Sequence, residues 1–123
     1  MKLSKNFSLQ EFASKDGADF PAEVIENLKD LAENLQAIRD EIGQPITITS
    51  GYRSPAHNKA IKGAKHSFHV KGMAADIKVK DMTPKEVKAI VLRLMKEGKI
   101  LKGGVKSYGT WLHYDIRGEL VLF

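Results

Sequence analysis

Residues 66–76 read HSFHVKGMAAD, and this stretch decides the architecture and the chemistry that the sequence predicts. It places an imidazole at His69 and a carboxylate at Asp76, with a small-residue turn at Gly72 between them. A third candidate ligand, His113, lies downstream in the segment WLHYD, residues 111–115. Two histidines and one carboxylate are what a catalytic divalent metal needs when one coordination position must stay open for water. From the spacing alone, His69 and Asp76 could equally be a hydrogen-bonded pair without a metal.

Alternating apolar and polar residues predict strands around this stretch. Residues 46–49 and 75–80 have the period of two that is typical of strands, as do residues 111–117. A turn at Gly118 into residues 120–123 predicts a C-terminal hairpin. On these strands Asp76 and His113 point away from the apolar positions. We therefore expect a bound metal to connect the loop that carries His69 with the two strands that carry Asp76 and His113.

Helical periodicity and capping signals predict the other elements. A capping box opens a short helix over residues 8–13, and a second one at Thr83 opens a helix that ends at Gly98. Residues 21–42 carry one apolar stripe, typical of a long amphipathic core helix, and a short helix is expected over 55–61. Two helices before the first strand favour an α+β domain, with N-terminal helices packed on a mostly antiparallel sheet. We expect residues 1–123 to form one domain.

Composition limits the classes of function. The chain has 123 residues and no cysteine, so any metal site must use nitrogen and oxygen ligands. Residues 1–50 hold 5 basic against 9 acidic residues, whereas residues 51–123 hold 15 against 6. The basic half favours an anionic partner, although a solvated lysine-rich surface would look the same. We find no signal peptide and no membrane-spanning segment.

The motifs together resemble a known family. Ser67-x-His69-x-x-Gly72-x-Ala74-x-Asp76 is similar to the signature of the zinc D-Ala-D-Ala carboxypeptidases, the peptidase M15 family. The resemblance extends upstream to SGYRSP, residues 50–55, and downstream to Trp111-x-His113-x-Asp115. It covers roughly residues 45–117 and implies the fold that the family shares with the hedgehog signalling domain. The family includes small phage endolysins, which the helical N-terminal third also resembles.

The resemblance implies a role for each matched position. His69, Asp76 and His113 would be the ligands of one zinc ion. Arg53 is similar to the family arginine that reaches the substrate carbonyl or its developing oxyanion, although a salt bridge securing its turn is an alternative. Ser67 resembles a residue that hydrogen-bonds the substrate backbone, or it caps its loop.

The sequence departs from the family at the general base. Many members carry an acidic residue three positions before the third ligand, and others carry a histidine two positions before it. Here those positions are Thr110 and Trp111, which cannot accept a proton from water. Asp115 and His66 are the remaining candidates for the base. Asp115 could instead orient a ligand histidine, and His66 could be an exposed loop residue.

Two further residues have alternative interpretations. Trp111 would either stack on substrate or fill the core, and His57 is expected to be structural.

Two other classes of function are not favoured. The pair His113-x-Asp115 has the spacing found in non-haem iron oxygenases, but no distal histidine follows it. Nucleic-acid binding is not expected, because no aromatic-studded basic strand accompanies the charge.

The resulting hypothesis is a zinc metallopeptidase that hydrolyses peptidoglycan stem peptides, either as a D-Ala-D-Ala carboxypeptidase or as an L-Ala-D-Glu endopeptidase. We expect a monomer of bacterial or phage origin that stays in the cytoplasm until it is released to act on the cell wall. The alternative is a non-catalytic, zinc-containing module that binds cell wall or serves as a phage structural part.

Overall fold

The helices begin and end at the residues that cap them. The computed structural model describes all residues 1–123 and contains three α-helices: α1 (Ala22–Ile42), α2 (Pro55–Ala60) and α3 (Pro84–Lys96). Helix α1 ends at Gly43, whose φ of 73° suits a residue without a side chain. The Thr83 hydroxyl accepts a hydrogen bond from the amide of Glu86 and so caps α3. No helix is long and apolar enough to cross a membrane.

Two sheets are present. The strands β1 (Lys2–Ser4) and β2 (Phe7–Ser8) pair near the N-terminus. The main sheet has the strand order β3-β4-β6-β5-β7 and is antiparallel except for the pair β5–β7. Its members are β3 (Ile46–Ser50), β4 (Ala74–Val79), β5 (Gly104–Ser107), β6 (Leu112–Asp115) and β7 (Val121–Leu122). The α+β class with a mostly antiparallel sheet is confirmed.

The main sheet has one apolar and one polar face. Ile77, Leu112 and Tyr114 are buried in a core of 23 residues that also contains the apolar stripes of α1 and α3. Since successive side chains on a strand point to opposite faces, Asp76 and His113 lie on the other face. These two residues are directly opposite each other across the pair β4–β6. Strand pairing therefore brings together two side chains that are 37 positions apart in the sequence.

Three expectations about the N-terminal half need correction. The strands β1 and β2 precede every helix, so the chain does not open with two helices. The first predicted helix is a short 3-10 helix over Leu9–Phe12, although the capping box between Ser8 and Glu11 is present. Helix α1 begins at Ala22, because the extended backbone of Pro21 makes that residue the cap.

The predicted C-terminal hairpin is wrong. Strand β7 pairs in parallel with β5 and not with β6. Both edges of β6 are already occupied, one by β4 and the other by β5. The chain after Gly118 must therefore reach the free edge of β5. Strand β5 itself was not predicted, since its first residue is a glycine and glycine is depleted in strands.

Candidate metal centre

Three potential ligand atoms converge on the polar face of the sheet. His69, Asp76 and His113 each offer one atom, and these atoms lie within 4.8 Å of one another. Asp76 Oδ1 is 3.3 Å from His69 Nε2 and 3.2 Å from His113 Nδ1. His69 and Asp76 are buried, and His113 is half-buried. The three residues that the sequence predicted as ligands therefore form one cluster.

His69 is held in a turn between α2 and β4. Its Nδ1 lies 2.8 Å from the carbonyl oxygen of Gly51, and because a carbonyl can only accept, Nδ1 carries the proton. Nε2, the atom that faces Asp76, is therefore the ring nitrogen left to donate a proton to that carboxylate or to bind a metal ion in its place. Gly72 closes the turn with a φ of 74°, and a Cβ there would lie 2.8 Å from Val24. The turn thus presents Nε2 to the cluster.

His113 is oriented from behind by Asp115. Its Nε2 lies 2.8 Å from Asp115 Oδ2, whose charged carboxylate accepts the hydrogen bond, so Nδ1 faces the cluster. Burial alone would lower the pKa of His113, but the hydrogen bonds to Asp115 and Asp76 outweigh it and raise the pKa. The position next to Nδ1 therefore favours positive charge, whether a proton or a metal ion supplies it.

Asp76 stays ionised in this environment. Burial by itself would raise the pKa of the carboxyl group, but the hydrogen bonds with His113 and His69 hold it well below its usual range. The cluster thus combines a carboxylate with two imidazole nitrogens whose other ring nitrogens are already bonded. This donor set fits a divalent ion of the zinc type.

Arg53 lies beside the cluster at the end of β3. Its Nη2 is 3.4 Å from Asp76 Oδ2, and its Nε donates to Ser50 Oγ at 3.2 Å. Nη1 is 3.4 Å from the amide oxygen of the buried Asn58, a contact that the sequence did not predict. Since these contacts leave further N–H groups free, the guanidinium can both secure its turn and donate to a ligand.

The turn that carries Arg53 is anchored by Asp16. The Ser54 hydroxyl donates to Asp16 Oδ2 at 2.5 Å and caps α2 by accepting from the amide of His57. Ser14 donates to the other carboxylate oxygen at 2.7 Å. The hydrogen bonds from Ser54, Ser14 and the amide of Ala18 lower the pKa of Asp16 to about 2.

We therefore expect a carboxyl 13C NMR titration to give Asp16 a pKa of about 2 in place of the ordinary 3.8, and the Ser54→Ala variant to raise it. Because the pKa is depressed on folding, the stabilisation from this carboxylate is present above pH 3.8 and is lost as the pH falls through about 2. A wild-type pKa of 3.8 would contradict this account of the anchor.

Asp115 is fully buried behind His113. Arg117 donates to both of its oxygens, through Nε at 2.9 Å and Nη2 at 2.6 Å, and the amide of Gly104 donates to Oδ1 at 2.8 Å. Burial alone would raise the pKa of Asp115, but the bonds with Arg117, His113 and Gly104 hold it well below the usual range. Arg117 was missed in the sequence, although strand alternation from His113 places it on the same face.

A cavity of about 440 Å³ opens above the cluster. The three candidate ligands and Arg53 line it. The aromatic side chains in its wall are Phe68, Tyr108, Trp111 and Phe123. Asp76 is the only lining residue with an acidic side chain.

The other predicted site residues take distinct positions. His66 is exposed and lines the cavity. Ser67 also lines it, and its hydroxyl accepts from the amide of His69 at 3.2 Å, so it caps the loop. Trp111 is half-buried in the cavity wall and is absent from the core. His57 lies on α2 and does not line the cavity. The functional roles assigned to these residues remain predictions.

A cavity above a His–Asp–His cluster defines a candidate metalloprotein whose ion would be open to a ligand. The chain belongs to the peptidase M15 family, since residues 2–115 match the sequence model described as Peptidase M15. This match supports a zinc peptidase-like function and a peptide substrate. No curated protein sequence matches the chain.

Proposed function

We propose that this protein is a zinc peptidase that hydrolyses peptidoglycan stem peptides, as a D-Ala-D-Ala carboxypeptidase or an L-Ala-D-Glu endopeptidase. The observation that carries the proposal is the cluster of His69, Asp76 and His113 at the base of an open cavity, in a chain of the M15 family. These three residues would hold one zinc ion. Zinc bound in this way supplies Lewis-acid polarisation of a carbonyl and a water pKa lowered to about 7.

The protein's own side chains would bind and orient the substrate. Arg53 lies next to Asp76 and can direct N–H donors at the substrate carbonyl, where negative charge develops during attack. Ser67, at the cavity surface, offers its hydroxyl to the peptide backbone. The basic half of the chain suits a wall substrate that is rich in D-Glu and terminal carboxylates.

Of the two candidate bases, His66 fits the proton-accepting role better. Both oxygens of Asp115 are engaged by Arg117, and the residue is fully buried, so a water molecule in the cavity would not reach it. His66 faces the cavity and carries a side chain that commonly accepts protons in enzymes. We therefore assign the base to His66 and an orienting role to Asp115.

A second candidate function is a non-catalytic, zinc-containing module that binds the cell wall. The lack of any acidic side chain in the cavity lining other than Asp76 favours it, because such a side chain would be the usual general base. Product analysis after incubation with cell wall distinguishes the two functions. Zinc-loaded protein is incubated with purified sacculi, and the released products are identified by mass spectrometry.

Release of free D-Ala would identify a carboxypeptidase, and cleavage after L-Ala would identify an endopeptidase. Sacculus binding with stoichiometric zinc and no product would contradict the peptidase and support the binding module.

The His66→Gln variant should cleave sacculi at least about a hundredfold more slowly, because general-base catalysis contributes roughly 10²–10⁴-fold. Its zinc content should stay unchanged, since His66 is not in the ligand cluster. The matched control is His57→Gln, which removes a histidine outside the cavity and should leave the rate unaltered. Full activity of His66→Gln would exclude His66 as the base.

A further inference from the structure

Lys106 lies on the same face of the sheet as the candidate ligands. It is directly opposite His113 across the pair β5–β6, just as Asp76 is opposite His113 across β4–β6. Cross-strand partners point to the same side of a sheet. One row therefore crosses three strands with Asp76, His113 and Lys106 in order. In this row Lys106 is on the side of His113 away from Asp76.

The Lys106 ammonium borders the aromatic wall of the cavity. Its Nζ lies 4.9 Å from the ring centroid of Tyr108 and 5.9 Å from that of Phe123. Tyr108 stacks on Trp111, with ring centroids 4.5 Å apart and an interplanar angle of 11°. This wall combines flat apolar faces with one positive charge at its edge.

Lys106 differs from the two arginines of the cavity. Arg53 is paired with Asp76, and Arg117 is paired with Asp115. Lys106 takes part in none of the ion pairs of the chain. A half-buried lysine whose ammonium group has no carboxylate partner is suited to an anionic group that arrives with a ligand.

We propose that Lys106, Tyr108 and Trp111 form a subsite for a substrate residue that carries a carboxylate next to the scissile bond. The aliphatic carbons of that residue would lie on the Tyr108–Trp111 rings, and its carboxylate would pair with Lys106. This inference rests on the proposed peptidase function and adds the residues that would recognise the carboxylate of its substrate. The carboxylate belongs either to the C-terminus of the peptide or to an acidic side chain.

The test uses two pairs of probes. Acetyl-D-Ala-D-Ala as free acid and as amide differ in the C-terminal carboxylate. Acetyl-L-Ala-D-Glu-amide and acetyl-L-Ala-D-Gln-amide differ in the side-chain carboxylate. Trp111 is the only tryptophan of the chain, so its fluorescence reports on binding at the wall. Titrations are run on the full chain with zinc and again after chelation, where no hydrolysis is expected.

We expect the wild-type protein to bind the acid of one pair about tenfold more tightly than its amide, as a charge-assisted contact would give. The pair that shows the preference identifies the source of the carboxylate. Lys106→Met should abolish the preference, and Lys106→Arg should restore most of it. The matched control is Lys71→Met, which removes an ammonium 5.0 Å from the ring of Phe68 on another part of the wall, and it should keep the preference.

Equal binding of acids and amides by the wild-type protein would overturn the inference. The inference would also be overturned if Lys106→Met kept the preference for acids over amides. The same holds if Lys71→Met lost this preference as fully as Lys106→Met. A preference that depends on Lys106 in a protein that hydrolyses no peptide would support the subsite while contradicting the proposed peptidase activity. The two proposals can therefore fail separately.

Discussion

Replacing Asp76 with asparagine is expected to lower the zinc affinity of the protein by at least about a hundredfold. This is at or above the roughly 10- to 100-fold loss that follows when a residue hydrogen-bonded to a metal ligand is replaced. The substitution keeps the shape of the side chain and removes its charge. Asp76 Oδ1 is the atom that both histidines approach, so the variant places a neutral amide group where the charged ligand atom of the cluster lies. Cleavage of sacculi should fall to background in parallel.

Zinc affinity can be measured without relying on catalysis. Zinc at 100 times its dissociation constant should stabilise the wild-type protein by about 2.7 kcal/mol. Thermal unfolding with and without zinc should therefore show a shift in Tm for the wild-type protein and almost none for Asp76→Asn. Asp81→Asn, the same change at an exposed turn, is the control and should keep the full shift. An undiminished shift in Asp76→Asn would exclude the cluster as the zinc site.

The Asp115→Asn variant is expected to have the second largest effect, because it removes the partner of both His113 and Arg117. The free energy of unfolding should fall by about 3 kcal/mol, the lower end for breaking a buried ion pair, since 20% of the Arg117 side chain is exposed. Zinc affinity should fall roughly 10- to 100-fold, because His113 loses the carboxylate that directs its Nδ1 toward the cluster.

Urea unfolding and zinc competition titrations measure these two effects separately. The Arg117→Lys variant keeps the positive charge but loses the two parallel hydrogen bonds to Asp115, so its effects should be smaller in both assays. If Asp115→Asn lost peptidase activity but kept the wild-type zinc affinity, Asp115 would act in catalysis and the orienting role would be wrong.

The candidate ligands could be predicted because local patterns determine where they point. Period-two alternation places Asp76 and His113 on the polar faces of their strands, and the family signature links them to His69. The structure brings these three side chains together, and their role as metal ligands stays a prediction. The capping boxes at Ser8 and Thr83 could be recognised in the sequence equally well, because the two residues of each box are only three positions apart.

Features that depend on tertiary packing could not be predicted in the same way. The partner of β7 depends on which strand edge is still free once the other strands have paired. No local sequence pattern indicates which edge this is. The environment of Asp115 depends on burial and on Arg117, so the sequence left its role open. Tyr108 and Phe123 reach the cavity wall, and Lys106 approaches their rings, through the strand order β6-β5-β7.

The register of β4 against β6 has a consequence for how the protein matures. Sliding one strand by a single residue would turn its ligand toward the core and expose an apolar neighbour such as Ile77 or Leu112. No partly correct alignment would leave Asp76 and His113 facing each other. The residues of the proposed zinc site would therefore come together only in a chain whose sheet has the native register. The zinc content of a preparation would then report the fraction of chains with the correct strand register.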